Sequence, residues 1–424
     1  MLKTVLVNLP VDDLEDDSMQ PPIGLVSIAT YAAMNDYEME VCDLAGNRGI
    51  DLNSLIPKAD VYGFSTYSVT YKKVLEVVDK IRLTDPQAYI IAGGPHASAL
   101  PDKVKEDFDC VIVGEGEKVF CEILENLKNG RKDRIPGIIK AEPIKDLDSL
   151  PFPDYYRFCD LNKYSRCING VPAMAIDTSR GCNFKCSFCN SIVFQRGTWR
   201  ARSADNVVRE IQLHYSNGWR AFRFNDDNFL VSQERAAKIC EMITPLNISF
   251  RIFARAESLN DNICQKLREA GCEHISVGVE SLSPRMLSLM GKASTVERIK
   301  SGLQAAKKAG ISTRGFFICG FPGETDETLD ESVNSLEDIA LDEAIVYPCI
   351  PYPGTPLYTE RDKYGITWIE EDFSKYLQVG INKKAGFVMA TDSFGPEKID
   401  EWRNKYMEKF EQVGISWAGH GKIK

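Results

Sequence analysis

Residues 180–190, RGCNFKCSFCN, place Cys182, Cys186 and Cys189 within eleven residues, directly after the strand-like segment AMAIDTSRG (173–181). A structural zinc site needs four ligands, and the sequence has neither a second CxxC pair nor an HxxxH pattern. A redox CxxC motif needs only two cysteines. Thiolates also hold four-iron clusters, one per iron, so three would leave one iron open to bind a small molecule. The spacing therefore favours an open iron–sulfur cluster.

The remaining cysteines are interpreted as core residues. The chain has thirteen cysteines, but we expect no export signal, and the chain is too long to need disulfides for stability. Cys42, Cys110 and Cys319 stand singly in apolar runs, where a free cysteine behaves as a small hydrophobic residue. Only the cluster at 182–189 has ligand spacing.

Composition predicts a soluble globular protein of two or three domains, with 424 residues, 44% of them hydrophobic and 26% charged. The net charge of −10 and the lack of a long basic run argue against a nucleic-acid partner. The apolar stretch PPIGLVSIATYAA (21–33) is too short to span a bilayer, and no basic segment precedes it. We therefore expect a cytoplasmic protein without a membrane partner.

Residues 1–135 alternate strand and helix patterns, and their five nearly continuous apolar strands predict a parallel, doubly wound, flavodoxin-like domain. A ligand would then bind outside the carboxyl ends of the strands. Glycines at the end of one strand are explained by the turn that follows it. Three glycine-containing loops on the same edge of the sheet favour a ligand site instead. The candidate residues at these ends are Gly63, Ser65, Thr66, Gly93, Gly94, Pro95, His96, Gly114, Glu115, Gly116 and Glu117.

A linker is predicted at 136–170, and residues 171–368 then repeat strand and helix six times, as in a partial (β/α)6 barrel of the TIM type. Residues 369–424 are predicted to form a small helical cap, with helical patterns in WIEEDFSKYLQ (368–378) and IDEWRNKYMEKFEQVG (399–414). Active-site groups of such barrels lie at the carboxyl ends of the strands. The residues found there are Asp226, Asp227, Arg255, Glu280, Ser281, Gly320, Pro322 and Gly323.

Structural roles remain open for these residues. Asp226 and Asp227 would also suit a solvated turn or a helix N-cap, and Arg255 and Glu280 a structural ion pair. Arg251 shares a strand face with Arg255, because side chains alternate with a period of two. A ring of polar strand ends beside three thiols favours a common site.

The chain resembles the radical S-adenosylmethionine (SAM) enzymes. CNFKCSFC (182–189) matches their CxxxCxΦC motif, and DDNF (226–229), GVES (278–281), GFPGET (320–325) and PYPGTPLY (351–358) resemble later motifs of that superfamily. In the first domain, PPIGL, GGPHA and GEGE resemble the cobalamin-binding domain of one large class, and LDSLPFPDYY (147–156) resembles its linker. The resemblance extends from residue 1 to about residue 365.

This resemblance implies three cofactors, namely a 4Fe-4S cluster on Cys182, Cys186 and Cys189, SAM chelated by the fourth iron, and cobalamin at the glycine loops of the first domain. It also assigns SAM contacts, with Asp226 and Asp227 at the amino group and Arg255 at the carboxylate. Glu280 and Ser281 would meet the ribose or the methionine portion, and Gly320, Pro322 and Gly323 the adenosine. DLAGNR (43–48) has Ala45 where many cobalamin proteins carry a cobalt-binding histidine, which implies cobalamin without a histidine lower ligand.

The implied activity is cobalamin-dependent methyl transfer to an unactivated carbon of a small molecule or peptide, through a 5′-deoxyadenosyl radical and methylcobalamin. An external electron donor such as flavodoxin or ferredoxin would reduce the cluster. The same motifs serve enzymes of radical rearrangement or cyclisation, in which cobalamin is not the methyl donor. Detection of a methylated product distinguishes methyl transfer from these reactions. A non-enzymatic cobalamin or redox sensor is a third hypothesis, which an intact SAM constellation disfavours.

Overall fold

The structure is a computed structural model that describes residues 2–378 and 385–417. It divides into two compact units. The first comprises the chain up to Ser165 together with Val193–Gln195 and Glu371–Leu377, and the second comprises the rest. The predicted linker, residues 136–170, therefore lies almost entirely in the first unit.

The first unit is the predicted doubly wound domain. Its six strands are all parallel, in the spatial order β2-β1-β3-β4-β5-β6, which is the flavodoxin-like order with one more short strand at the edge. The strands are β1 (Thr4–Asn8), β2 (Met39–Asp43), β3 (Val61–Ser65), β4 (Tyr89–Gly93), β5 (Cys110–Val113) and β6 (Ile138–Lys140).

Helices cover this sheet, which is why its central strands are apolar along nearly their whole length. In β4, for example, Ile90, Ile91 and Ala92 are all buried. The helices are α1 (Ile23–Met34), α2 (Tyr71–Thr84), α3 (Pro95–Ala99), α4 (Pro101–Val104), α5 (Glu117–Lys128) and α6 (Tyr155–Phe158).

The second unit contains the predicted partial barrel. Strands β8 and β11 to β15 lie side by side and parallel, β7 pairs antiparallel with β8, and β18 extends the far edge beside β15. The strands are β7 (Cys167–Ile168), β8 (Val171–Ile176), β9 (Ser179–Arg180), β10 (Arg200–Ala201), β11 (Ala221–Phe224), β12 (Ser249–Arg255), β13 (Cys272–Glu280), β14 (Ser312–Cys319), β15 (Glu343–Pro348), β16 (Ile366–Ile369), β17 (Met389–Thr391) and β18 (Ser416–Trp417).

Alternate residues of the barrel strands have different surroundings. In β12, Phe250 and Ile252 are fully buried, whereas Phe253, on the opposite face, remains partly exposed. The first face packs beneath helices and the second faces the interior of the curled sheet. The remaining helices are α7 (Ser191–Phe194), α8 (Ala204–Ser216), α9 (Gln233–Ile243), α10 (Asp261–Glu269), α11 (Pro284–Leu289), α12 (Val296–Lys308), α13 (Asp326–Asn334), α14 (Pro356–Thr359) and α15 (Pro396–Gln412).

The C-terminal region confirms one predicted helix and corrects another. The pattern at 399–414 lies in α15 except for its last two residues, but WIEEDFSKYLQ does not form an α-helix. Its first residues end β16, which pairs antiparallel with β17 and places Trp368 opposite Ala390. The Asp372 carboxylate then accepts a hydrogen bond from Ser374 N at 3.1 Å and fixes a short 3-10 turn, so strand pairing and local capping override the helical pattern. Within the described ranges, no helix has the length and apolar content to cross a bilayer.

Close backbone packing fixes the end of β12. Helix α12 lies against the turn that follows Arg255, and a Cβ atom at Gly302 would overlap the carbonyl oxygen of Ala256. Glycine is therefore required at this position for the helix to approach the turn.

We expect Gly302→Ala to lower the free energy of unfolding by about 1–3 kcal/mol, because the added methyl group forces the helix and the turn apart. Denaturant unfolding followed by tryptophan fluorescence measures the effect. Gly24→Ala is the control, since a Cβ at Gly24 in α1 meets no described atom within 4 Å and alanine is the better helix former. Equal stability of the two variants would contradict the packing argument.

Candidate functional site

The loop that carries the three cysteines, residues 182–189 and here called the cysteine loop, comes after β8 and is held by backbone contacts. Ser187 N donates to Met290 O at 3.0 Å, and Ser187 O accepts from Leu357 N at 3.2 Å. Gly291 has a left-handed φ of 66°, and a Cβ there would lie 3.3 Å from Lys185 O. These contacts set the path of the loop independently of any bound group.

The three thiols of this loop are close enough to affect one another electrostatically. Burial raises the pKa of Cys182, and the nearby Asp227 and Cys186 raise it further. Burial likewise raises the pKa of Cys189 to about 12, with Asp227 and the other two thiols adding to the effect. Thiolates crowded in this way need a cationic group to stabilise them.

This donor set fits a four-iron cluster. Among the residues that the structure describes, no three His, Cys, Asp or Glu side chains are arranged to hold a single metal ion. A four-iron cluster instead binds each thiolate to a different iron, and thiolate is the ligand that iron–sulfur clusters use.

Arg255, at the end of β12, contacts the cysteine loop directly. Its Nη1 lies 3.5 Å from Cys186 Sγ, and its guanidinium lies 3.7 Å from the centre of the Phe184 ring. The same guanidinium donates to Glu257 and to the carbonyl oxygen of Lys292. Arg255 thus brings a fixed positive charge to the thiols.

Glu280, at the end of β13, forms a buried ion pair with Lys292, whose Nζ lies 2.9 Å from Glu280 Oε1. Gly278 makes room for it, since a Cβ there would overlap Glu280 Oε1 and lie 2.9 Å from Lys292 Nζ. Glu280 also has a φ of 66°, which is unfavourable for a residue other than glycine. The sequence allowed an ion pair between Arg255 and Glu280, and this prediction is wrong. Arg255 pairs with Glu257, and Glu280 pairs with Lys292.

Lys292 is the residue that the sequence reasoning missed. The sequence gives only a weak signal for Lys292, because it is a single lysine after the apolar run LSLMG (287–291). Through its carbonyl and its ammonium it connects Arg255 with Glu280, so one connected network runs from Cys186 to the end of β13.

The two aspartates after β11 have different surroundings. Asp226 is buried and accepts hydrogen bonds from Thr178 N, Thr178 Oγ1 and Ser179 Oγ at 2.7, 2.5 and 2.5 Å. It therefore fixes the chain between β8 and the cysteine loop. Asp227 is exposed and accepts from Ser191 Oγ at 2.7 Å, which leaves it accessible to a ligand.

The GFPGET turn after β14 is organised by Glu324. Its Oε2 accepts a hydrogen bond from Gly320 N at 2.5 Å, and burial raises its pKa to about 8, so the group is largely protonated at neutral pH. Gly320 and Gly323 have φ angles of 76° and 88°, with the buried Pro322 between them. Ser281, predicted at the SAM site, is fully buried, and its Oγ lies 2.7 Å from Ser332 Oγ.

In the first unit the glycines at the carboxyl edge serve different purposes. A Cβ at Gly93 would meet none of the described atoms within 4 Å, so this position borders open space. Gly94 has a φ of 92° and lies against the backbone of Thr66, whose Oγ1 donates to Gly93 O at 2.7 Å. A Cβ at Gly63 would overlap Leu6, and one at Gly116 would lie 2.7 Å from Ile28, so both permit core packing.

The other predicted residues of this edge are mostly engaged within the protein. His96 is buried, its ring stacks 4.3 Å from that of Tyr71, and its Nδ1 lies 3.0 Å from Ser68 Oγ. Burial lowers the pKa of His96 to about 4, which keeps it neutral. Glu115 accepts from Ile144 N at 2.7 Å. Ser65 and Pro95 are partly exposed, Glu117 is buried, and Gly114 has a φ of 95° and donates to Ser98 Oγ at 3.0 Å.

Family models match both units. Residues 15–124 match the B12 binding domain and residues 176–336 match the radical SAM superfamily. An uncharacterized methyltransferase of Pyrococcus horikoshii is 30% identical over 360 residues, which cover 80% of this chain and 78% of that protein. The bacteriochlorophyllide d C-8(2)-methyltransferase of Chlorobaculum tepidum is 24% identical over 374 residues, covering 86% and 81%.

Solved structures share the fold. The radical SAM methyltransferase TsrM of Kitasatospora setae, with cobalamin and a [4Fe-4S] cluster bound, superposes with a TM-score of 0.77 at 17% identity, over 100% of this chain and 92% of that one. A second TsrM structure, with tryptophan substrate and a SAM analogue, gives a TM-score of 0.70 at 19% identity, over 99% and 84%.

A flavodoxin-like B12 domain followed by a partial barrel with a three-cysteine loop defines the cobalamin-binding class of radical SAM proteins. Within that class, the chain belongs to the family of cobalamin-dependent radical SAM methyltransferases. Its cofactors are a 4Fe-4S cluster, SAM and cobalamin.

The protonated state of Glu324 predicts a pH dependence of stability. In the folded protein, Glu324 keeps its proton up to a pH of about 8, whereas in the unfolded chain it releases the proton near pH 4.5. The contribution of Glu324 to the free energy of unfolding therefore falls as the pH rises between these two values. Glu324→Gln removes this contribution. We expect its stability relative to wild type to increase from pH 5.5 to 8.5, by a few kcal/mol at most, at about 1.4 kcal/mol per pKa unit.

Denaturant unfolding at several pH values measures this difference. Glu234→Gln, which neutralises an exposed glutamate at the start of α9, is the control and should follow the wild type. A difference between Glu324→Gln and wild type that stays constant with pH would show that Glu324 is ionised in the folded protein.

Proposed function

We propose that this methyltransferase acts on an unactivated carbon of a small molecule or peptide, with Cys182, Cys186 and Cys189 holding the cluster. The observation that carries the proposal is the contact of Arg255 with Cys186 at the carboxyl ends of the barrel strands. Active groups of barrel enzymes collect at this end. The tryptophan substrate of TsrM supports a small-molecule acceptor. The proposed electron donor is a flavodoxin or a ferredoxin.

When bound, the cluster and SAM supply a 5′-deoxyadenosyl radical and cobalamin supplies the methyl group, and the protein orients and shields them. Arg255 Nη1 donates a hydrogen bond to Cys186 Sγ and so places a positive charge beside that sulfur atom. Its contact with Phe184 and its bond to the Lys292 carbonyl hold that charge in place.

Asp227, rather than Asp226, is proposed to receive the amino group of SAM. Both oxygens of Asp226 already accept hydrogen bonds from Thr178 and Ser179, whereas Asp227 is exposed beside the cysteine loop. Glu280 and Lys292 supply a fixed pair of charges near the same network.

The turn of GFPGET is proposed to receive the adenosine, since Glu324 holds the backbone of Gly320 in place. A preformed turn avoids the entropic cost of ordering the loop when the ligand binds.

For cobalamin, the open face of Gly93 is the proposed point of close approach in the first unit. Gly94 and Thr66 shape the loop beside it, through the left-handed backbone of Gly94 and the hydrogen bond of Thr66 Oγ1 to Gly93 O. Because His96 is buried against Tyr71 and bonded to Ser68, it is not proposed as a cobalt ligand.

Alanine substitution of Cys182, Cys186 or Cys189 should reduce the iron content of the anaerobically reconstituted protein and lower reductive SAM cleavage to background. Iron analysis and quantification of 5′-deoxyadenosine measure the two effects. Cys110→Ala and Cys319→Ala are the controls, because both thiols are fully buried in the core, and they should cost only ~1 kcal/mol or so of stability. A loop variant that kept full iron and activity would refute the assignment.

Gly93→Val should lower cobalamin uptake at least tenfold, because its side chain would enter the space assigned to the ligand, while the iron content stays near that of wild type. Cobalamin and iron are quantified in the same reconstituted sample. Gly395→Val is the matched control, since Gly395 lies in the second unit in an extended conformation with one ordinary contact. Normal cobalamin uptake by Gly93→Val would place the ligand elsewhere.

A further inference from the structure

The inward face of the barrel carries a layer of arginines away from the cysteine loop. Arg223 of β11 pairs in register with Arg251 of β12, and Arg251 pairs with His274 of β13. Arg314 of β14 lies opposite Ser276 on the other side of β13. Arg251, His274 and Arg314 are each the third residue of their strands, and Arg223 lies beside Arg251 in the short strand β11. This layer therefore lies below the strand ends that carry the SAM motifs.

Within this layer, the hydrogen-bonding groups of Arg251 are not fully satisfied by the described residues. Arg314 has a partner, since its Nε lies 2.7 Å from Glu343 Oε2. Arg251 is 2% exposed, and its Nη2 donates to Ser276 Oγ at 2.9 Å. In the described part of the chain, its Nε and Nη1 have no hydrogen-bond partner, and neither has His274 Nε2.

Neighbouring cations also act on these arginines. Burial, together with the charges of Arg166 and Arg314, lowers the pKa of Arg223 to about 9. Burial lowers the pKa of Arg251 as well, with Arg223, Arg166 and Arg314 adding to the effect. The opposing carboxylates are Asp177, near Arg223, and Glu343, near Arg251. A buried cation left without a full partner costs several kcal/mol, a cost that a bound anion would offset.

Beside the arginines runs an aromatic wall, made by Phe253, Phe316 and Tyr347. The rings of Phe253 and Phe316 stack at 6.3 Å, and those of Phe316 and Tyr347 at 5.8 Å. The guanidiniums of Arg223 and Arg251 lie 5.0 and 5.7 Å from the centre of the Phe253 ring.

The interior next to this wall is not completely filled. Phe253 and Phe316 keep partial exposure, whereas Phe250 and Phe317 on the outer face of the same strands have none. A ligand could therefore reach both the wall and the arginines from inside the barrel.

We propose that the methyl acceptor is an anion, whose carboxylate or phosphoryl group binds Arg251 and Arg223 in the barrel interior while its apolar part lies on the aromatic wall. This inference rests on the proposed function and names its substrate class. Arg251 precedes Arg255 by four residues of extended strand, so their Cα atoms are ~13 Å apart and the anionic group would bind below the level of the cysteine loop.

The test uses two simple anions as probes, inorganic phosphate and phenylacetate, with the anaerobically reconstituted protein at constant ionic strength. Isothermal titration calorimetry measures their affinity for wild type, Arg251→Gln and Arg285→Gln. The last variant removes the same charge from an exposed position of α11 and is the matched control. We expect at least tenfold weaker binding of the preferred probe to Arg251→Gln, and wild-type binding to Arg285→Gln. The stronger probe distinguishes a phosphoryl group from an aromatic carboxylate.

Iron content and circular dichroism show whether each variant folds. If Arg251→Gln does not fold, Arg223→Gln provides a second variant. Equal affinity of either folded variant and wild type, or no binding of either probe to wild type, would overturn the proposal. Loss of probe binding on addition of SAM would also overturn the proposal, because the arginines would then bind the SAM carboxylate. Failure of the proposed function is recognised separately, by wild-type protein that binds a probe but forms no 5′-deoxyadenosine.

Discussion

The hydrogen bond from Arg255 to the Cys186 thiol is the interaction on which the arrangement of the barrel site depends. Three thiols on one short loop repel one another when ionised, and burial makes the ionisation of Cys182 and Cys189 costlier still. A guanidinium held by Glu257 and the Lys292 carbonyl supplies compensating charge before any cofactor binds. The ends of β12 and β13 and the cysteine loop therefore have to meet at one place.

Small residues allow this meeting. Gly302 lets α12 approach the turn after β12, Gly278 makes room for the ion pair of Glu280 with Lys292, and Gly291 lets the cysteine loop lie on the end of α11. At each position a methyl group would press on a backbone carbonyl or on a charged side chain, neither of which yields easily. These glycines therefore determine the geometry of the site without contacting a ligand.

The sequence predicted most of the fold, because β4 and β5 are continuous apolar runs and α2 and α12 have clear helical periods. It also predicted that Asp227, Arg255 and Glu280 would lie at one end of the barrel, since parallel strands share an edge. It did not predict which charges would pair. Glu257 follows Arg255 by only two residues, and Lys292 is brought to Glu280 by the path of α11, which no local pattern records.

The two groups of buried charge in the barrel show why pairing matters more than charge count. Around the cysteine loop, Arg255 and Lys292 each have a carboxylate partner, so that region is stable as a preformed receptor. In the interior, the hydrogen-bond partner of Arg251 among the described residues is the neutral hydroxyl of Ser276, and the charges nearby are other guanidiniums and Glu343. A buried guanidinium whose hydrogen bonds are incomplete destabilises a fold, and a bound anion would remove that cost. Charge balance thus separates the part of the barrel that is complete in itself from the part that a ligand completes.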